Sequence, residues 1–282
     1  MSVLTGDLGS ATRQTRPVSG FSRVILDGIG HVRVVRSDVE SLEVEAPERL
    51  IDHIETIVES GALRIGFRRG VRLHHVGRLE LHFRVSAKTL DGVAINGAGS
   101  IDADNISGNR VFTEIDGSGR ISVDEMGGTE AMISVDGAGK IEVQRTSADA
   151  CRLEIDGSGR LELGTLDAKS IDIRVDGAGK IVLGRIECAR LDSRLDGVGK
   201  IDASGSADEV HADVNGAGSL RMEGLSVQRA AVDIDGTGKV NFGRIETLDV
   251  QISGFGRVGY HGNPTLNVQR SGFGKVVSLD AG

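Results

Sequence analysis

Residues 134–143 read SVDGAGKIEV, and nearly the same decapeptide returns at residues 154–163, 174–183 and 194–203 as EIDGSGRLEL, RVDGAGKIVL and RLDGVGKIDA. The first glycine of this Gly-x-Gly element recurs every eighteen to twenty residues, at Gly97, Gly117, Gly137, Gly157, Gly177, Gly197, Gly216, Gly236, Gly254 and Gly272. An earlier copy, LDGIGHVRV, begins at Leu26 and stands apart from the others. A repeat of about twenty residues is typical of a solenoid.

Aliphatic residues recur at fixed distances on both sides of the glycines. Ile115, Val135 and Ile155 precede them, and Ile121 and Ile141 follow. This alternation predicts two short strands per repeat, each with one buried face. Twenty residues are too few for a βαβ unit or a four-stranded propeller blade. We therefore predict an all-β fold, a single-stranded parallel β-helix whose coils of about 20 residues stack roughly 4.8 Å apart.

The glycines are expected to form the corners of the coils, where positive φ or close backbone approach is needed. These structural corner positions are Gly117, Gly119, Gly137, Gly139, Gly157, Gly159, Gly177, Gly179, Gly197 and Gly199. In six copies an aspartate before the corner is followed four residues later by a cation, as in Asp136 and Lys140 or Asp156 and Arg160, and in the two Asn copies both charges are lost together. This pattern predicts a ladder of surface ion pairs across the corners, worth roughly 0.2 to 1 kcal/mol each.

The residues before the regular repeats lack the twenty-residue step. We predict a flexible N-terminus at residues 1–17, a β-rich cap with the first coils at 18–91, and the Gly-x-Gly β-helix at 92–282. A solenoid needs an atypical cap to cover its first coil. The first twenty residues contain no apolar stretch of a signal peptide, and no run approaches the roughly 18 apolar residues of a membrane helix. As written, the chain is expected to be cytoplasmic and not inserted in a membrane.

Charge is distributed unevenly. The formal net charge is −8, which disfavours nonspecific attraction of the chain as a whole to nucleic acid or to an anionic membrane. The segment from Arg64 to Lys88 is instead strongly basic, with Glu80 as its single acid. Its end could contact an anionic polysaccharide, another protein, or the acidic body of a second copy. The candidate residues are Arg68, Arg69, Arg72, His74, His75 and Arg78.

Aromatic residues occupy the corner in the last two repeats, where Phe255 and Phe273 stand between the glycines. Two interpretations are open: the rings form a docking patch at an exposed end, or they cap the final coil. The cap is the favoured interpretation.

No motif in the sequence indicates catalysis, a cofactor or a metal. The Gly-x-Gly element lacks the third glycine and the strand–helix context of a dinucleotide site. His74 and His75 would point to opposite faces of a strand, and the nucleophile-elbow and zinc-protease motifs are missing. With two cysteines, no disulfide framework can be inferred. We therefore expect a protein that is not an enzyme.

The order of motifs resembles the putative auto-transporter adhesin, head GIN domain family of bacteria. The likeness lies in GFSRVILDGIGHVRVVRSD at residues 20–38, VEAPERLIDHIETIVESGALRIGF at 44–67, VAINGAGSI at 93–101 and the later repeats. The resemblance implies a β-helical, adhesin-like protein and, since members are commonly exported or tethered, a place in the cell envelope or at the cell surface if a leader is removed. It brings no catalytic residues.

These observations together predict a non-enzymatic adhesin-like interaction or structural module that could also associate with itself. The alternative is a carbohydrate-binding or carbohydrate-active β-helix protein, with carboxylates of the corner aspartates as its chemical groups.

Overall fold

The computed structural model describes residues 2–5, 8–74 and 79–280, with 78% of the residues in strands and 1% in helix. The described residues contain one short helix, α1 (Glu48–Ile51). The strands in chain order are β1 Ser2–Thr5, β2 Ala11–Arg16, β3 Arg23–Gly28, β4 His31–Arg36, β5 Ser41–Pro47, β6 Ile54–Glu59, β7 Ala62–Phe67, β8 Val71–His74, β9 His82–Ala87, β10 Gly92–Gly97, β11 Ser100–Ser107, β12 Arg110–Gly117, β13 Arg120–Gly137, β14 Lys140–Gly157, β15 Arg160–Gly177, β16 Lys180–Gly197, β17 Lys200–Gly216, β18 Ser219–Gly236, β19 Lys239–Gly254, β20 Arg257–His261, β21 Thr265–Gly272 and β22 Lys275–Ser278.

The predicted parallel β-helix is confirmed. Strands β13 to β19 each pair in parallel with the next, and the register places Gly137 beside Gly157 and Ile141 beside Leu161. About nine turns stack in this way. The aliphatic columns form the core, and a fully buried aliphatic side chain contributes roughly 1.5 to 3 kcal/mol. One such column contains Ile121, Ile141, Leu161, Ile181, Ile201, Leu220, Val240 and Val258, all buried.

Each regular coil consists of three straight β-segments, whereas the sequence predicted two strands. In β14 the buried residues alternate through Ile141 and Val143, and again from Cys151 to Ile155. Thr146 is buried between these runs. Exposed pairs at residues 144–145 and 149–150 interrupt the alternation, so the chain turns there as well as at the glycines. The coil is therefore three-sided.

The first coils do not stack in sequence order. Strand β3 pairs in parallel with β10 on one side and β7 on the other, and β4 lies likewise between β11 and β9. The coil of residues 62–87 is thus outermost, that of 23–36 lies inside it, and that of 92–107 follows. The isolated copy at Leu26 therefore belongs to the regular columns, with Ile65 and Ile95 as its neighbours.

Antiparallel strands and the helix cover the N-terminal end. Strand β6 pairs with β7, and β5 pairs with both β9 and β2. Leu50 and Ile51 of α1 are buried, and the Arg16 guanidinium donates to the Ile51 carbonyl at 2.8 Å. Within the N-terminus expected to be flexible, residues 11–16 are therefore a strand, because β5 supplies a partner along their whole length. The domain limits at 17/18 and 91/92 stay predictions.

The C-terminal end is open. Strand β21 pairs with β19 and β22 pairs with β20, and no other strand of the described residues covers them. All eight residues of β21 are exposed. Leu266 and Val268, which continue the core columns, are 41% and 36% exposed. The two ends of the solenoid are therefore built differently. Among the described helices, none has the length and apolar character to cross a membrane.

Candidate interaction surfaces

The corner glycines shape the coil. At Gly137 φ is +112°, and a Cβ there would lie 2.5 Å from the Gly117 carbonyl oxygen. At Gly139 a Cβ would lie 2.6 Å from Cγ2 of Ile115 in the coil before. The intervening Ala138 amide donates to the Gly117 carbonyl at 2.9 Å. Close coil-to-coil contact explains both glycines, and the amide of the residue after each glycine donates to a glycine carbonyl of the neighbouring coil.

The predicted ion pairs across the corners are wrong. Lys140 Nζ lies 2.8 Å from a carboxylate oxygen of Glu142 and 2.8 Å from one of Glu162. The cation follows the corner, so it shares a face with acids that stand two residues later in its own coil and in the next. Asp136 lies before the corner and projects from another face.

Five corner aspartates consequently stack beside one another, and we call them the aspartate column: Asp116, Asp136, Asp156, Asp176 and Asp196. Within the described part of the chain, none of them forms an ion pair. The column is flanked by amides, since Asn215 donates to Asp196 at 2.8 Å and Asn96 donates to Asp27 at 2.7 Å. Five depressions of the described surface contain none of these aspartates in their lining.

The perturbed titratable groups fit structural roles. The hydrogen bond from Lys140 is the main cause that lowers the pKa of Glu162, and the hydrogen bond from Arg221 does the same for Asp202. Burial raises the pKa of the Cys151 thiol to about 12 and that of Cys188 to about 11. Buried neutral thiols are poor nucleophiles. Among the described residues, no cluster of three or more potential metal ligands occurs.

One lateral groove escaped the sequence analysis. It has a volume of about 580 Å³, and its apolar lining includes Phe112 and Met132, the latter 41% exposed. The Arg110–Glu130 ion pair, at 2.8 Å, borders it. One sequence feature could have predicted the groove. Phe112 and Met132 occupy an outward column that holds Arg152 and Asp172 in the next coils.

The basic candidates lie at the N-terminal end. Arg68 and Arg69 follow β7 and Arg72 lies in β8, and all three side chains are exposed. No ion pair joins them to any residue that the structure describes. The backbone of His74 ends β8, whereas His75 and Arg78 lie outside the described residues.

The aromatic candidates lie at the opposite end. Phe255 and Phe273 are 67% and 78% exposed, and their rings stack with centroids 5.5 Å apart and planes 17° apart. The rings project from the side of the solenoid, while Leu266 and Val268 at the open end stay exposed. The rings are therefore exposed rather than packed over Leu266 and Val268, a docking role for them stays a prediction, and the structure does not bring the aromatic and basic candidates together.

Comparison with solved structures supports the fold. A putative adhesin from Parabacteroides distasonis ATCC 8503 superposes with a TM-score of 0.60 at 19% identity, over 98% of this chain and 99% of that one. A putative adhesin from Parabacteroides merdae ATCC 43184 gives 0.60 at 17% identity, over 99% and 100% of the two chains. A further P. distasonis protein, described as a putative lipid binding protein, gives 0.52 at 20% identity, over 99% and 100%.

Sequence comparison places the chain in a family. Among curated proteins, none matches it. The family model of the putative auto-transporter adhesin, head GIN domain matches residues 20–185 and 164–264. These two overlapping matches cover most of the chain and include both the interleaved first coils and the regular repeats. The protein therefore belongs to the putative auto-transporter adhesin, head GIN domain family.

Proposed function

We propose that this protein is a non-enzymatic, adhesin-like β-solenoid of the cell envelope or surface, which works by presenting contact surfaces and associates with a second copy of itself. Family membership and the fold support the adhesin-like role. The paired carboxylates and buried thiols support a role without catalysis, since the described residues place no activated group in a depression. An unknown protein or an anionic polysaccharide is the external partner we propose for the exposed arginines Arg68, Arg69 and Arg72.

The proposal of self-association rests on the open C-terminal end, where the edge strand β21 is uncovered. An edge strand presents a row of unpaired N–H and C=O groups, which is a template for pairing with another chain. Natural edge strands are commonly protected by charge. Each N-terminal edge strand has two charges, Arg13 and Arg16 in β2 and Glu55 and Glu59 in β6, whereas β21 has only Arg270.

The difference between the two ends favours a closed pair. Head-to-tail stacking needs both ends to be available and would continue into a filament. Here the N-terminal coil is covered by α1, β5 and β6, so the C-terminal ends of two copies are the surfaces that match. Antiparallel pairing of β21 with itself about Val268 would place Arg270 opposite Leu266, without opposing like charges.

Substituting Val268→Lys tests this arrangement. Val268 is already 36% exposed, so we expect the variant to fold, but a lysine at the centre of the pair would be desolvated. Light scattering over a range of protein concentrations should show native dimers and a monomeric Val268→Lys variant. Gln251→Lys adds the same charge to an exposed site one coil away and should remain dimeric.

A second variant separates the two ends. Arg68→Glu/Arg69→Glu changes the basic N-terminal surface and should leave the dimer intact. If this variant abolishes association while Val268→Lys does not, assembly uses the basic end. A native chain that stays monomeric at all concentrations would refute self-association.

A further inference from the structure

The last two coils depart from the other repeats at a single corner. The residue between the glycines becomes Phe255 and then Phe273, and the aspartate position becomes Ser253 and then Ser271. The two hydroxyl oxygens lie 3.1 Å apart. The cations after the corner persist. We call the set the aromatic-basic corner: Ser253, Phe255, Arg257, Ser271, Phe273 and Lys275.

Within their own two coils, the cations of this corner have no acid before the corner and none in the outward column, although Asp235 of the preceding coil lies beside Ser253. In earlier coils, Lys140 and Lys180 pair with acids of the outward column that contains Glu142, Glu162 and Asp202. After Asp202 that column continues as Arg221, Asn241, Gly259 and Val277, so it holds no acid beside Arg257 or Lys275. Within the described residues, neither Arg257 nor Lys275 forms an ion pair, and both are exposed.

The charge of this end opposes that of the whole chain. Residues 251–280 contain Arg257, Arg270 and Lys275 but only one acid, Asp280, whereas the whole chain carries −8. Asp280 is occupied elsewhere, with His261 Nδ1 2.6 Å from its carboxylate. The corner is therefore a positive, apolar site on an acidic protein, and its charge complements an anionic surface.

The shape of the corner favours binding to a lipid bilayer surface over binding of a small-molecule ligand. Small ligands are usually held in concave sites. Phe255 and Phe273 are 67% and 78% exposed, their rings stack on one another, and neither lines any of five depressions of the described surface. Apolar rings flanked by cations are suited to the boundary between lipid headgroups and acyl chains, with the cations among anionic headgroups.

We propose that the aromatic-basic corner docks this protein peripherally onto an anionic lipid bilayer. Phe255 and Phe273 enter the interfacial region, and Arg257 and Lys275 contact anionic headgroups. No membrane-spanning segment is needed for this contact. Because Ser271 belongs to β21, docking and the pairing of β21 are measured separately.

Tryptophan fluorescence provides a direct test, because the chain has no Trp. Phe273→Trp places a reporter at a position that is 78% exposed. With vesicles of phosphatidylglycerol and phosphatidylcholine, its emission should shift to the blue and be quenched by brominated acyl chains. Val198→Trp is the matched control, since Val198 stands between corner glycines and is 59% exposed, but lies beside Asp196. Its emission should not change.

The basic residues are tested in the Phe273→Trp background. Arg257→Gln/Lys275→Gln should weaken binding about thirtyfold, at about fivefold per cation near an anionic membrane. Arg120→Gln/Lys200→Gln removes two cations from the same column within the acidic coils and should leave affinity unchanged.

Three results would overturn the proposal. The first is an unchanged emission with anionic vesicles. The second is equal binding to pure phosphatidylcholine. The third is a shift with soluble heparin as large as that with vesicles, because it would assign the corner to an acidic polymer. Light scattering of the same variants without vesicles reports the oligomeric state, so failure of docking is distinguishable from failure of self-association.

Discussion

At the scale of single residues, the two glycines of a corner are needed for different reasons. The first glycine combines positive φ with close approach to a carbonyl oxygen, as at Gly177, where φ is +109° and a Cβ would lie 2.6 Å from the Gly157 oxygen. The second glycine has an ordinary φ but faces a side chain, as at Gly179, where a Cβ would lie 2.6 Å from Cγ2 of Ile155.

Replacing Gly177 by alanine should therefore destabilise the protein strongly. The substitution imposes an unfavourable backbone conformation and a contact with rigid backbone, and we expect the free energy of unfolding to fall by roughly 2 to 4 kcal/mol. Denaturant unfolding followed by circular dichroism measures the change. Ala178→Val is the control, because Ala178 is the exposed residue between the same two glycines and should change stability by less than about 0.5 kcal/mol. Equal effects at the two positions would disprove the role assigned to the corner.

At the scale of the strands, periodicity predicted the core but not the surface. The buried column through Ile121, Ile141 and Leu161 follows from alternation alone, because a period of two assigns one face to the interior. The ion pairs were mispredicted because a spacing of four residues across a glycine corner joins two different faces. Neighbours in the next coil, such as Glu162 for Lys140, are twenty residues distant in sequence and become visible only when coils are stacked.

Repulsion between the carboxylates of the aspartate column should lower the stability of the folded protein. Like charges opposite one another in adjacent strands are destabilising, and Asp156 lies between Asp136 and Asp176 without an ion pair to a described residue. Asp156→Asn removes the central charge and introduces a side-chain amide. Such an amide can donate a hydrogen bond to a neighbouring aspartate, as Asn215 does to Asp196. We expect stability to rise by roughly 0.2 to 1 kcal/mol, measured as a higher melting temperature. The gain should shrink at about 1 M salt, where charges are screened within about 3 Å.

Glu162→Gln supplies a contrast of opposite sign. The pKa of Glu162 is lowered, first by the hydrogen bond from Lys140, so its ionised form stabilises the folded state above the ordinary carboxyl range. The variant should melt below the native protein at neutral pH, and the difference should vanish as the pH falls through the lowered pKa. If Asp156→Asn destabilised the protein as Glu162→Gln does, the aspartates would have partners that this geometry does not show.

At the scale of the whole molecule, the order of the first coils and the asymmetry of the ends lay beyond sequence reasoning. The coil of residues 23–36 resembles the other repeats, but no local pattern specifies that residues 62–87 fold back outside it. The same holds for the aromatic candidates. Their position between glycines was evident in the sequence, whereas their projection to the side of the solenoid depends on how the last coil ends.

The asymmetry of the ends predicts a gradient of local stability. In a solenoid each coil is stabilised by its neighbours, so terminal coils open most easily unless they are covered. Strands β21 and β22 have a described partner on one side only, whereas β7 lies between β3 and β6, and β9 between β4 and β5. Hydrogen exchange should thus be faster at residues 265–278 than at 62–67 and 82–87. Higher protein concentration should slow exchange at 265–272 alone if β21 pairs with a second copy, while the Val268→Lys variant should show no such dependence. Exchange at 62–67 as fast as at 265–272 would mean that α1, β5 and β6 do not protect the N-terminal coil.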